Sequence, residues 1–129
     1  LTRIWWENHR QEFDLVCSQS VLDECGRGDA ELARLRLDLL GGVPLLDLNE
    51  EVALAADALL RSGILPAKAG EDAIHIAAAS VHGINYLLTW NCKHIANPRI
   101  WRRIGECFRG LGHTMSIICT PEDLIGDEN

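Results

Sequence analysis

The feature that most constrains this chain is an alternation of helical stretches with short apolar runs. The runs are Phe13 to Ser18 (FDLVCS), Pro44 to Leu48 (PLLDL), Tyr86 to Thr89 and Ser116 to Cys119. A strand with one face in water carries polar residues at every second position. A strand covered by helices on both faces is instead short and apolar, as these are. Strand and helix follow one another throughout, so the expected class is α/β: a three-layer α/β/α sandwich around a central parallel sheet.

The helical stretches have readable ends. Leu1 to Glu12 reads as helix, and a short helix is expected from Gln19 to Cys25, before Gly26-Arg27-Gly28 breaks it. Asp29 can cap the next helix through Leu40, where Gly41-Gly42 ends it. Asn49 is placed to cap a helix to about Ser62, with Val52, Ala55, Ala56 and Leu59 on one face. Gly63 to Pro66 is a turn. The helix from Lys68 to His82 is apolar nearly all round and is therefore expected inside the protein. Asn97-Pro98 starts a further helix whose buried stripe is Ile100, Ile104, Cys107, Phe108 and Leu111. Thr120 to Asp123 begins a terminal helical turn.

With 129 residues, the chain is expected to be a single domain with a core large enough to need no staples. Cys17, Cys25, Cys92, Cys107 and Cys119 are odd in number and never spaced as CxxC. That argues for reduced thiols over a disulfide framework or a zinc knuckle. The apolar runs are too short to span a bilayer and no signal-peptide pattern opens the chain, so the expected location is cytoplasmic, with no membrane partner. The net charge is −7, which weighs against nonspecific nucleic-acid binding by the chain as a whole. Its distribution matters more: Lys93, Arg99, Arg102, Arg103 and Arg109 face a single acid, Glu106, between positions 93 and 109.

Ligands of an open α/β sheet bind at the carboxyl ends of its strands. Glu24 lies in the helix that leaves one such end, Thr89-Trp90-Asn91 follows another, and Asp72 opens a helix that runs back antiparallel to the sheet. Chain topology thus brings distant carboxylates to one edge. Two carboxylates in one crevice disfavour each other's charged form, and a divalent cation relieves that repulsion. Carboxylate and amide oxygens are hard ligands suited to Mg²⁺ or Mn²⁺. A cation held there can activate water and neutralise a phosphoryl group, so phosphodiester hydrolysis is the chemistry this edge suggests.

The stretches Ser18-Gln-Ser-Val-Leu-Asp-Glu24, Ala69-Gly-Glu-Asp72-Ala-Ile-His75-Ile-Ala-Ala-Ala79 and Leu87-Leu-Thr-Trp-Asn91-Cys-Lys-His94-Ile resemble motifs of the PIN-domain family. They are similar to those of VapC-type toxins from bacterial toxin–antitoxin pairs, and the likeness extends to Thr120-Pro-Glu-Asp-Leu124. The resemblance implies a metal-dependent endoribonuclease. Asp72 and Glu24 would be its catalytic residues, and Glu24, Asp72 and Asn91 its ligands for Mg²⁺ or Mn²⁺. It also implies an RNA substrate, a cognate antitoxin and a homodimer. Asn91 stands where many relatives have Asp, so it would add an oxygen but no charge. The family opens with a strand carrying its first acidic ligand in the middle of the sheet, whereas this sequence opens in a helix at Leu1. The expectation from the resemblance is a single PIN-like domain over residues 1–129, incomplete at its N-terminus and lacking that first strand.

Each candidate also has a plainer reading. Glu24 beside Asp23 reads equally as surface charge, and Asp72 as a helix N-terminal acid favoured by the macrodipole. His75 either assists catalysis or is a hydrogen-bonded core histidine. Asn91 ligates or caps the following turn, and Thr89 orients the cluster or closes its strand. Trp90 has the shape to stack a base, whereas Trp5, Trp6 and Trp101 read as packing residues. Cys92, His94 and His113 match no zinc spacing. The arginines after Pro98 lie opposite the buried stripe, on a face that is solvated by default and contacts phosphate in the sharper reading. The rival function is a catalytically inactive PIN-like module that binds RNA or protein. A small-molecule Rossmann enzyme is disfavoured, because no GxGxxG loop follows a strand.

Overall fold

The computed structural model describes residues 6–88 and 98–119. Over these residues the chain is mixed α/β with parallel strand pairing. Its helices are α1 (Gln19–Cys25), α2 (Ala30–Leu39), α3 (Glu50–Arg61), α4 (Gly70–Val81) and α5 (Pro98–Gly110). The strands are β1 (Cys17–Ser18), β2 (Leu45–Leu46), β3 (Tyr86–Leu88) and β4 (Ile117–Cys119). No helix among the described residues is long and apolar enough to cross a membrane.

Among the described residues the strands do not join into the single central sheet expected from their pattern. Cys17 and Ser18 pair with Leu45 and Leu46, and Tyr86 to Leu88 pair with Ile117 to Cys119, as two separate parallel ladders. The first ladder is shorter than its apolar runs. The Cys17 N–H donates to the Pro44 carbonyl at 2.9 Å, but Pro44 has no N–H to return, so the first pair cannot extend that way. Two helix bounds, one end and one start, are also corrected. A 3₁₀ turn at Arg10–Glu12 stands at the end of the expected opening helix, and another at Ala67–Ala69 precedes α4. The Thr120 to Asp123 turn lies outside the described residues.

Capping follows the side chains that the sequence puts at the helix starts. The Asp29 carboxylate accepts from Glu31 N–H at 2.8 Å and Leu32 N–H at 3.2 Å, and the Asn49 amide oxygen accepts from Val52 N–H at 3.0 Å. Ser18 closes β1 and caps α1 with one side chain, accepting from Val21 N–H at 3.4 Å. These bonds satisfy backbone donors that have no partner inside the helix.

The core lies between α3, α4 and α5. Val52, Ala55, Ala56 and Leu59 of α3 are all buried, as their spacing predicts, against Ala73, Ile76 and Ala77 of α4 and Ile104 and Phe108 of α5. Small residues on both α3 and α4 let the two helices pack closely along their lengths. Leu111 departs from the expected stripe and is 45% exposed. The helix stops at Gly110, and Leu111 falls in the turn beyond it.

Helices α4 and α5 end alike. Beyond α4, Gly83 takes φ +70°, its N–H donates to Ser80 O, and Ile84 N–H reaches back to Ala79 O at 2.8 Å. Beyond α5, Gly112 takes φ +87°, its N–H donates to Arg109 O, and His113 N–H reaches Phe108 O at 2.9 Å. Only glycine adopts this left-handed geometry without cost. Each motif turns the chain back into the next strand. The start of β4 is then tied across, with Ser116 N–H donating to Ser80 Oγ at 3.1 Å and Ser116 Oγ donating to Ile84 O at 2.5 Å.

Phe108 is fully buried, and truncating such an aromatic costs about 3–5 kcal/mol in lost transfer energy and residual cavity. Phe108→Ala is therefore expected to lower the free energy of urea unfolding by that amount, read as a lower midpoint with an unchanged slope.

Candidate functional site

The candidate site forms where the last turn of α1 meets the first turn of α4, two helices in direct contact. Ser18 ends β1 and begins α1, so α1 leaves from the carboxyl end of that strand. Helix α4 turns back at Gly83 into β3 and runs antiparallel to it, so α4 begins near the carboxyl edge of β3. Topology thus sets Glu24 beside the start of α4, as the sequence pattern expects.

Its neighbours there are Glu71 and His75. Glu24 Oε2 stands 3.2 Å from His75 Nε2, but off the line of a hydrogen bond, so that fully enclosed nitrogen has none. Glu24 also shares a hydrogen bond with Glu71. Glu71 and His75 are one helical turn apart and so project from the same face of α4. On the outer side Glu71 Oε1 takes Arg27 Nη2 at 2.7 Å. Arg36 holds the loop carrying Arg27, donating from Nη1 to the Arg27 carbonyl at 3.4 Å.

Charge is divided unevenly across this group. Burial pushes the Glu24 carboxyl above its ordinary range, and its hydrogen bond to the Glu71 carboxylate adds to that. His75 pulls it the other way. The Arg27 guanidinium, with help from the Glu24 hydrogen bond, holds Glu71 down to about 2. The two carboxyls are thus driven apart, Glu24 upward and Glu71 downward. The guanidinium of Arg27 is in turn held more firmly protonated by Glu71.

Asp72 occupies the first turn of α4 and is half-buried. No hydrogen bond or ion pair joins it to Glu24 among the described residues. Glu24 meets Glu71, which lies about 40° to one side of His75 about the helix axis, while Asp72 lies about 60° to the other. Asn91, Thr89, Trp90, Cys92 and His94 lie outside the described residues. Among the described residues, no three His, Cys, Asp or Glu side chains stand at metal-holding spacing. His75 fits neither of its two sequence readings fully: it is largely enclosed, with its side chain 15% exposed, yet faces a carboxylate instead of the apolar core. Glu71 and Arg27 were missed. The pattern of an acid four residues before His75 was the available signal for Glu71. For Arg27 there was none, since its pairing is tertiary.

Compared with known families, curated proteins and solved structures, the chain matches none at a significant level.

The pairing of Glu24 with Glu71 has a measurable consequence. Removing the Glu71 charge removes an influence that raises Glu24, so in Glu71→Gln the Glu24 titration midpoint should move down. Because burial is the larger cause, the midpoint should still stay above that of an ordinary glutamate. A carbon-detected NMR titration of the Glu24 carboxyl reads this directly, and an unmoved midpoint would remove Glu71 from the site.

Proposed function

We propose that this chain is a metal-dependent endoribonuclease of PIN-like, three-layer organisation that hydrolyses RNA phosphodiester bonds and serves as the toxin of a toxin–antitoxin pair. The supporting observation is the half-buried Glu24 carboxyl held against Glu71 at the first turn of α4, with Asp72 adjacent. Crowded carboxyl groups are suited to exchanging a proton for a divalent cation. The donor set fits a hard ion, because Glu24 and Asp72 offer only oxygen atoms and Asn91 would add a third.

In this reading Glu24 and Asp72 hold Mg²⁺ or Mn²⁺, and Asn91 completes the set. When bound, such an ion lowers the pKa of water and neutralises phosphoryl oxygens. The chain's own residues prepare the place. His75 lies on Glu24 and limits the directions in which that carboxylate can turn. Arg27 pairs with Glu71 and offsets its charge, leaving Glu24 and Asp72 to face an incoming cation. The start of α4 contributes the positive end of its dipole, which favours anions there. The proposed partners are RNA, an antitoxin that covers the site, and a second copy of the chain, within the cytoplasm.

The close approach of Glu24 to Glu71 also favours a second reading, a catalytically inactive PIN-like module that binds RNA or protein without a cation. The decisive experiment is cleavage of a mixed RNA pool with Mn²⁺ by the full chain. In the nuclease reading EDTA abolishes cleavage. Asp72→Asn should reduce it more than about 100-fold, beyond what loss of a ligand's supporting hydrogen bond costs. Absence of cleavage by folded, Mn²⁺-supplied protein would leave the binding module.

A further inference from the structure

Helix α5 carries a strongly basic surface in a chain of net charge −7. Arg99, Arg102, Arg103 and Arg109 are all exposed on it, with Glu106 as the single acid of the helix. At 100° per residue these five positions fall within an arc of about 120°, opposite Ile104 and Phe108, which are fully buried. The ridge therefore cannot turn inward. From Arg99 to Arg109 it is about 15 Å long at 1.5 Å per residue.

Only part of this charge is spent within the protein. Arg102 Nε meets Glu106 Oε1 at 3.3 Å, with the two side chains 83% and 57% exposed. Such a pair is screened by solvent and readily exchanged for another anion. Arg103 and Arg109 meet no carboxylate among the described residues. The cations are all arginine, in a chain with only two lysines, Lys68 and Lys93. A guanidinium presents a planar fork of donors that matches phosphate oxygens in pairs, whereas simple solubility needs no such geometry.

Position links the ridge to the candidate site. Helix α5 turns at Gly112 back into β4, as α4 turns at Gly83 into β3, and the two strands are parallel and in register. Both helices thus begin at the same strand edge. The Arg99 end of the ridge therefore lies at the edge where α4 begins, and the Arg109 end leads away toward the opposite edge. No aromatic residue falls within the arginine arc, so a strand lying there would be held by its phosphates and not by its bases.

We propose that this arginine ridge binds the phosphate backbone of single-stranded RNA along a track leading from the carboxylate site. The inference rests on the RNA-substrate reading above. It extends that reading from one cleaved bond to a length of strand held beside it.

The test measures binding without catalysis, in EDTA, with the Asp72→Asn chain and a fluorescent single-stranded RNA of mixed sequence across a salt series. Each phosphate contact contributes about 0.7 to the slope of log affinity against log salt for single strands. Arg103→Gln/Arg109→Gln should therefore lower that slope by about 1.4, to a similar extent for different RNA sequences. An equally charge-reducing control, Arg34→Gln/Arg61→Gln, should leave it unchanged. Circular dichroism and the urea midpoint establish that both variants are folded, as expected for exposed positions. An unaltered slope in folded Arg103→Gln/Arg109→Gln protein overturns the proposal. So does a preference for polyglutamate over RNA at equal charge, which would reassign the ridge to an acidic protein partner. Because no metal is present, loss of the nuclease reading and loss of the ridge are read separately.

Discussion

Close packing of α3 against α4 is the constraint on which the rest of this structure depends. Ala55 and Ala56 on one helix and Ala73 and Ala77 on the other are buried, and their small side chains leave room for Leu59, Ile76 and Phe108 to fill the space between elements. A fully buried Leu, Ile or Phe contributes roughly 1.5–3 kcal/mol, against a total stability of only about 5–15 kcal/mol for a typical domain. A few such residues therefore decide whether α4 is held in place. Everything chemical follows from that, because α4 carries Glu71, Asp72 and His75 at one end and leads into β3 at the other.

Much of this was legible in the sequence, because local physics determined it. The bounds of α1, the caps at Asp29 and Asn49 and the buried face of α3 depend on residues within one or two turns of each other. The same holds for the burial of α4, which follows from its nearly continuous apolar composition. The strands were harder, since the two runs of the first ladder are apolar over more residues than the ladder uses. Where pairing stops depends on partners distant in sequence, and Pro44 limits one ladder through a missing N–H that periodicity does not reveal. Leu111 fits the helical stripe by spacing but follows the residue at which the helix ends.

The candidate site divides along the same line. Glu24 and the first turn of α4 were foreseeable, because topology alone brings them to one edge. Which carboxylate of α4 would face Glu24 was not, since Glu71 and Asp72 are neighbours separated only by a rotation about the helix axis. Arg27 decides the charge of Glu71, yet it lies in a loop far along the chain and is held there by Arg36. Charge placement here is thus a tertiary property built on a local one.

The hydrogen bonds of Ser116 have a wider consequence. Through Ser80 and Ile84 they join the entrance of β4 to the exit of α4, so helix, turn and two strands meet at a stitched seam. At the opposite edge the outermost contact is the ion pair of Arg27 with Glu71, between exposed side chains, which rearranges at little cost. Like the spine of a bound book, this seam fixes the order in which helix, turn and strands follow one another.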